Sequence, residues 1–429
     1  GRFRPGDVVA ETVAAEYLSP LKEAGVESVV LEAQRLGSGQ TRNTTAKITS
    51  QHGLIYDKLT RRFGAEQAGQ YARVNQRAIA EYRRIVRELA IDCALEERAA
   101  YLYSTLDEDA LRAEAHAARA LGLNAQFTAQ TALPFPVKGA VRFEEQAQFH
   151  PLRFLAAVAE QVTVYEQTLV LRVDGGRVET DRGTVRARHV VFACHFPFVN
   201  APGYYFARMH QERSYVLALK NAPQLDGMYY GVDPEGLSFR NAGEYLLLGG
   251  GNHRTGENSA GGRYELLRQA ARRCYPDSRE AAHWSAQDCI PLDGVPYIGV
   301  YAPSVPNWYV ATGFQKWGMT SSMAAAMLIS ARITGREDPD GAVFSPRRFK
   351  LPAAGANLLE DGKQTVKGLS RQLFPSGRAE LEALPSGHGG VVELDGEKVG
   401  AYRDETGELF LVSTRCPHLG CQLEWNPDE

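Results

Sequence analysis

The chain has 429 residues, 44% hydrophobic and 23% charged, with a net charge of -3. That is room for two or three domains of an ordinary globular enzyme, and the charge gives nucleic acid no reason to bind. No apolar run is long enough to cross a bilayer, and the six cysteines make no disulfide framework. Cys93, Cys194, Cys274 and Cys289 are scattered, so a reduced, cytoplasmic setting is expected.

The opening GRFRPGDVVAE lacks an initiator Met and an apolar signal core, and reads as a tag remnant or a trimmed start. AAEYLSPLKEAG is expected to be a helix ending at Gly25, with Pro20 as a blemish inside it. Residues 26–33, VESVVLEA, are β-branched and apolar and end in an acid, the pattern of a buried parallel strand. Residues 56–120 show three- and four-residue apolar spacing, as in YARVNQRAIAEYRRIVRELAI, and predict a helical lobe. PLRFLAAVAEQ predicts a short helix. VTVYEQTLVLRVDGGRVETDRGTVRARHVVFAC alternates, with turn signals at Asp174-Gly175-Gly176 and Asp181-Arg182-Gly183, and predicts three or four strands. SYVLALK, GMYYGV, LSFRNA and YLLLGGG suggest an antiparallel sheet. NWYVATGF reads as a buried strand and SSMAAAMLISARITG as a small-residue helix ending at Gly335. Residues 336–375 are polar and read as a linker, and from about 376 a new alternating pattern begins.

Glu32 closes the 26–33 strand. An acid there accepts hydrogen bonds from a ribose hydroxyl in dinucleotide-binding folds; otherwise it is a strand-end acid meeting solvent. The glycine fingerprint that should lie about 20 residues earlier is absent. After Asp7-Val8-Val9-Ala10 the chain runs Glu11-Thr12-Val13, and Glu11 would set negative charge beside a pyrophosphate. Further on, NWYVATGFQKWGMTSSMAAAM takes a strand through a Gly-bounded turn into a helix. The N–H groups of that helix's first turn can receive an electron-rich ligand edge, and Trp317 supplies an aromatic wall. SAQDCIPLDGVPYIG offers another tight turn. Both are also readable as ordinary strand–turn–helix junctions. His52 in SQHG and His150 in QFHP read as core or hydrogen-bonding histidines, with a catalytic role as the alternative.

The stretches VVLEAQRLGSGQTRNTTAKITSQHGLIYDKL, SAQDCIPLDGVPYIG and NWYVATGFQKWGMT resemble the D-amino-acid-oxidase-like family of FAD-dependent oxidoreductases, in its branch with a C-terminal Rieske [2Fe–2S] domain. The resemblance implies an α/β plus α+β fold: a Rossmann-like FAD domain interleaved with an antiparallel-sheet substrate domain over 1–340, a linker over 341–375, and the first part of a small all-β Rieske-like module over 376–429. It also implies an FAD site. Glu32 and Ala33 would hold the adenosine ribose. Arg35, Ser38, Thr44, Thr45, Ala46 and Lys47 would line the pyrophosphate and flavin. Val170 would meet adenine through its backbone, and Ala193 and Cys194 would lie near the cofactor. Gly313, Phe314, Trp317, Gly318, Met319 and Thr320 would wrap the flavin end.

The chain ends on TRCPHLGCQLEWNPDE, which places Cys416, His418 and Cys421 within six residues. Thiolates and imidazoles packed this tightly usually hold a metal. Cys-Pro-His-Leu-Gly-Cys resembles the first half of a Rieske motif, in which thiolates hold one iron and imidazoles the other. By that resemblance Cys416 and His418 would each ligate one iron, and Cys421 would be the extra cysteine that pairs with the second loop. A second Cys and His pair is then expected beyond Glu429. A zinc site with one further ligand and a structural pair of buried cysteines remain alternatives. The family implies oxidation of an amine, amino acid or similar small substrate, with electrons leaving through the cluster to a protein or small-molecule acceptor. A degenerate scaffold without intact sites is the alternative from another class.

Overall fold

The computed structural model describes residues 8–10, 21, 24–258, 260–348, 381, 384–394, 396–415 and 422–428. Two large sheets organise it. The first has six strands in the order Tyr297–Val300, Trp308–Thr312, His189–Phe192, Val8–Ala10, Ser28–Leu31 and Thr163–Tyr165. All neighbours are parallel except the Tyr297 and Trp308 strands. Its central strands are near-continuous Val, Leu and Phe because both faces are covered; Val30, Leu31, Val191 and Val310 are buried. One face carries the helices Ala65–Glu88 and Gly318–Ile333, whose small residues Ala324, Ala325 and Ala326 let them pack closely. The strands come from distant parts of the chain, so the second sheet is threaded between them.

That second sheet has nine strands among the described residues, running from Arg279–Pro291 through Met209–Lys220, Tyr245–Arg254, Ser238–Ala242, Gly227–Gly231, Glu96–Ser104 and Gly139–Gln148 to Lys47–Ile48, with Ala125–Thr128 also paired to Gly139–Gln148. The helical lobe expected over 56–120 is therefore broken. Tyr56–Phe63, Ala65–Glu88 and Glu108–Ala120 are helices, but Glu96–Ser104 is a strand. Short apolar runs do not distinguish the two states by period. The aromatic content decides here, with Tyr101 stacked on Tyr229 of the neighbouring strand at 4.5 Å. The Thr163–Phe192 run holds five strands. Its first and last join the parallel sheet, and the middle three form a separate hairpin layer turning at Gly175, φ 55°.

The expected linker begins inside the body. The turns Pro339–Phe344 and Pro346–Arg348 bury Val343 and Phe344, and Arg348 pairs with Asp293 at 2.9 Å. The apolar residues Leu373, Phe374 and Leu384 are candidates to anchor the linker on the body; Leu373 and Phe374 lie outside the described residues, as does most of the helix expected before Gly25, of which Leu21 is described and helical. Leu384 packs on the C-terminal module instead, its carbonyl accepting from Arg403 at 2.9 Å.

The module is a three-stranded antiparallel sheet of His388–Leu394, Glu397–Arg403 and Leu409–Ser413. Trp425 stacks on Tyr402, ring centroids 6.3 Å apart, and covers Gly389 so closely that a Cβ there would fall 1.7 Å from the indole. The next residues reach the nine-stranded sheet. Asn426 Nδ2 donates to the Tyr215 hydroxyl at 3.1 Å, Asn258 donates to Asn426 at 2.8 Å, and Asp428 accepts the backbone N–H groups of Gly262 and Arg263. Among the described residues no helix is long and apolar enough to cross a membrane.

Candidate functional site

A cleft opens where the C-terminal ends of the Trp308–Thr312 and His189–Phe192 strands meet the nine-stranded sheet, the place where open α/β sheets receive ligands. The 40–47 segment, the Phe314–Met319 turn, and Ser214, Tyr215, Tyr230, Ser238, Asn252 and Asp288 from the sheet line it. The segment is fastened to the sheet by two hydrogen bonds: Trp284 Nε1 to the Asn43 carbonyl, 2.8 Å, and Gln287 N to Gln40 Oε1, 2.9 Å. The turn is shaped by Gly313, φ 73°, and Gln315, φ 52°, whose N–H bonds the Cys289 carbonyl. At Gly313 an added Cβ would also fall 2.6 Å from Pro291.

Trp317 is held from behind. His52 stacks on it at 5.0 Å, and Tyr230 meets it edge-on at 5.0 Å. The His52 imidazole is fixed in turn by the Tyr71 hydroxyl and the Thr49 carbonyl, each at 2.6 Å. Burial drives its pKa down to about 3, so it stays neutral. His52 thus braces an aromatic wall and does not face the cleft, while His150 caps the Pro151–Ala159 helix. The helix beginning at Gly318 has no side-chain cap and no acid in its first turn, so its N-terminal positive potential faces the cleft at Gly318 and Met319.

Lys47 adds a second positive group. Its amine donates to Ser238 Oγ and to the Tyr229 carbonyl, and among the described residues no carboxylate pairs with it. Burial, with the Arg240 guanidinium nearby, lowers its pKa to about 7. Arg240 is committed to the Thr45 and Phe149 carbonyls and Gln148 Oε1. Lys316 differs, lying between Asp288 (3.3 Å) and Glu212 (3.6 Å); burial pushes its pKa down, but the neighbouring Asp288, Tyr230 and Glu212 together outweigh that and the pKa is raised.

Of the residues singled out from sequence, Thr44, Thr45, Lys47, Phe314, Trp317, Gly318 and Met319 line this cleft. Ala46 lies beneath it with φ 53°, and Thr320 is buried, exchanging two hydrogen bonds with Thr49. Glu32, 5% exposed, ends its strand and accepts the Gln34 N–H at 2.8 Å. Ala33, Arg35 and Ser38 form a separate surface hollow with Asp181 and Arg182. Val170 and Ala193 are buried, and Cys194 is partly covered. Residues 11–20, where a phosphate loop would lie, and Cys416, His418 and Cys421 fall outside the described residues. Among the described residues no three His, Cys, Asp or Glu side chains gather as a metal site. Sequence reasoning missed His195, Ser214, Tyr230, Ser238 and Asp288, because a sheet's inward positions converge only after its strands are ordered.

A Rossmann-like sheet, a curled second sheet and a cleft between them define an FAD-dependent oxidoreductase. The model of the FAD dependent oxidoreductase (DAO) family matches residues 13–332, and the chain belongs to that family. It is 37% identical over 444 residues, 99% of this chain and 86% of the other, to a protein of Bacillus subtilis (strain 168) provisionally named Rieske 2Fe-2S iron-sulfur protein YhfW. Among solved structures, glycine oxidase from Geobacillus kaustophilus superposes with a TM-score of 0.67 at 21% identity, covering 81% of this chain and 100% of that one. L-proline dehydrogenase from P. horikoshii gives 0.67 at 15% identity, covering 81% and 98%. At these identities the solved structures establish the fold alone.

The cleft fits the cofactor this family takes. An uncapped helix N-terminus and the Lys47 amine, which no carboxylate among the described residues pairs, face one space, which suits the electron-rich pyrimidine edge of a flavin.

Proposed function

We propose that this chain oxidises an amine, amino acid or similar small substrate in the cleft and passes the electrons through a Rieske [2Fe–2S] module to an outside acceptor. The observation that carries the reading is the pairing, in one cleft, of Lys47 and the Gly318 helix N-terminus with the aromatic wall of Trp317 and Tyr230. When bound, FAD would supply the two-electron redox chemistry.

The chain's own residues would do the rest. Glu32 and Ala33 would hold the adenosine ribose, with Val170, Ala193 and Cys194 along the nucleotide. Arg35, Ser38, Thr44, Thr45 and Ala46 would follow the ribityl and pyrophosphate. Lys47 and the N–H groups from Gly318 to Thr320 would stabilise negative charge at the pyrimidine edge, and Gly313 and Phe314 would close the turn over it. Trp317 would exclude water and orient the substrate. Cys416 and His418 would each ligate one iron of the cluster. The contacts of Asn426 with Tyr215 on the sheet and of Asp428 with the head of the Arg263–Cys274 helix support a docked module, as electron transfer requires.

The test is a visible spectrum of the purified full-length protein, followed by anaerobic addition of a panel of amines and amino acids. A flavin band that bleaches with one of them is expected, together with iron and acid-labile sulfide that vanish in Cys416→Ser. A protein without a flavin band, or a flavin that no member of the panel reduces, overturns the reading.

A further inference from the structure

The cleft has a second polar end. Asp288 lies on the Arg279–Pro291 strand, while Ser238, the partner of Lys47, lies three strands away in the same sheet. At the usual strand spacing that separates the ends by about 14 Å. This end carries two carboxylates, Asp288 and Glu212. Asp288 Oδ2 takes hydrogen bonds from Ser214 at 3.3 Å and Lys316 at 3.3 Å. Lys316 also serves Glu212 at 3.6 Å and Asn252 at 3.4 Å, and Glu212 reaches His210 at 3.4 Å. Two carboxylates, Asp288 and Glu212, thus share the one ammonium of Lys316. Among the described residues, no arginine lines the cleft.

His195 is the independent observation. It lies in the same cleft wall in a left-handed conformation, φ 62°, with its carbonyl accepting the Thr312 hydroxyl. Its ring bonds the backbone of Gln287, the residue before Asp288, and feels the Asp288 charge. Nε2 has no partner among the described residues and is shut away from solvent. Burial favours the neutral ring, in which one ring nitrogen keeps a lone pair. A buried polar nitrogen without a partner is costly, and two carboxylates that share one ammonium beside it favour a cation in the same place. Trp317 and Tyr230 in the same cleft add aromatic surface that favours positive charge.

We propose that the Asp288 end of the cleft is the subsite for a protonated nitrogen of the substrate, with Asp288 and His195 Nε2 as its acceptors. The preferred substrates are then amines presenting an ammonium group, with no need for a carboxylate at that end. This rests on the reading of the cleft as the substrate site.

The test is calorimetric binding of n-butylamine and of butyrate to the FAD-loaded full-length protein under anaerobic conditions. The wild type is expected to bind butylammonium at least tenfold more tightly than butyrate. Asp288→Asn is expected to lose tenfold or more on the amine and nothing on the acid, and His195→Ala several-fold on the amine. A wild type that prefers butyrate, or an Asp288→Asn protein with unchanged amine affinity, overturns the inference. If Asp288→Asn does not fold, the wild-type preference and the His195→Ala loss decide it. Calorimetry reads binding whether or not the flavin turns over, so an unreduced flavin would count against the proposed reaction while the amine preference still settles the subsite.

Discussion

Asp428 caps a helix more than 150 residues earlier in the chain: its carboxylate accepts the backbone N–H of Arg263 at 3.1 Å and of Gly262 at 3.0 Å, at the head of Arg263–Cys274. Helix N-termini leave such donors unpaired and favour negative charge. Asp428→Ala should cost about 0.5–2 kcal/mol, the usual value of a cap, and the loss should appear at the joint. We expect faster hydrogen exchange at residues 262–265 and quicker proteolytic release of the module. Unchanged exchange there would mean that the contact does not hold the module.

Gly389→Ala attacks the same joint from the other side. A methyl group cannot coexist with the Trp425 ring in its present place, so Trp425 should leave Tyr402 and carry Asn426 and Asp428 with it. Enhanced solvent quenching of Trp425 fluorescence, read in a protein whose other three tryptophans are replaced by Phe, checks this.

Glu32→Ala should weaken FAD binding by about 1–3 kcal/mol, the cost of leaving polar partners unpaired. Flavin content and a titration of the apoprotein measure it, and equal affinity in the variant would remove Glu32 from the nucleotide site.

His52 makes stability sensitive to acid. Its folded pKa of about 3 lies below the ordinary 6.5, so between those values the unfolded chain binds more protons. Stability should be complete above about pH 6.5 and fall as pH drops toward 3. His52→Gln should flatten that limb in a series of thermal melts, and an acid limb of unchanged slope would contradict it.

Lys47 acts at the alkaline side. Its folded pKa of about 7 lies below the ordinary 10.5, so the unfolded chain again holds the extra proton between them. The FAD-free protein should gain stability as pH rises from 7 toward 10.5, and Lys47→Met should abolish that gain. Denaturant midpoints across this range are the measurement.

The parallel strand at 28–31 and the Trp308 strand with its helix were legible because their apolar runs are uninterrupted and bounded by glycine. Glu96–Ser104 was not, since a five-residue apolar run fits either period and only its stacking on Tyr229 settles it. The same holds for the site. Lys47 and Trp317 lie in contiguous stretches with a recognisable pattern, whereas Asp288 and His195 meet only because two strands ninety residues apart end at one cleft. Nothing local to VVFACHFP says that its histidine will lack a donor.

Tyr215 belongs to two neighbourhoods. It lies in the cleft wall, and its hydroxyl is shared by Asn426, Asn258 and His253. A ligand that shifts this ring alters the seat of the module, and by thermodynamic reciprocity the module's docking must alter ligand affinity by the same factor. Occupancy of the cleft and attachment of the C-terminal sheet are therefore not independent variables, and severing the joint should change how tightly the cleft holds its ligand even though none of the module's described residues lines it.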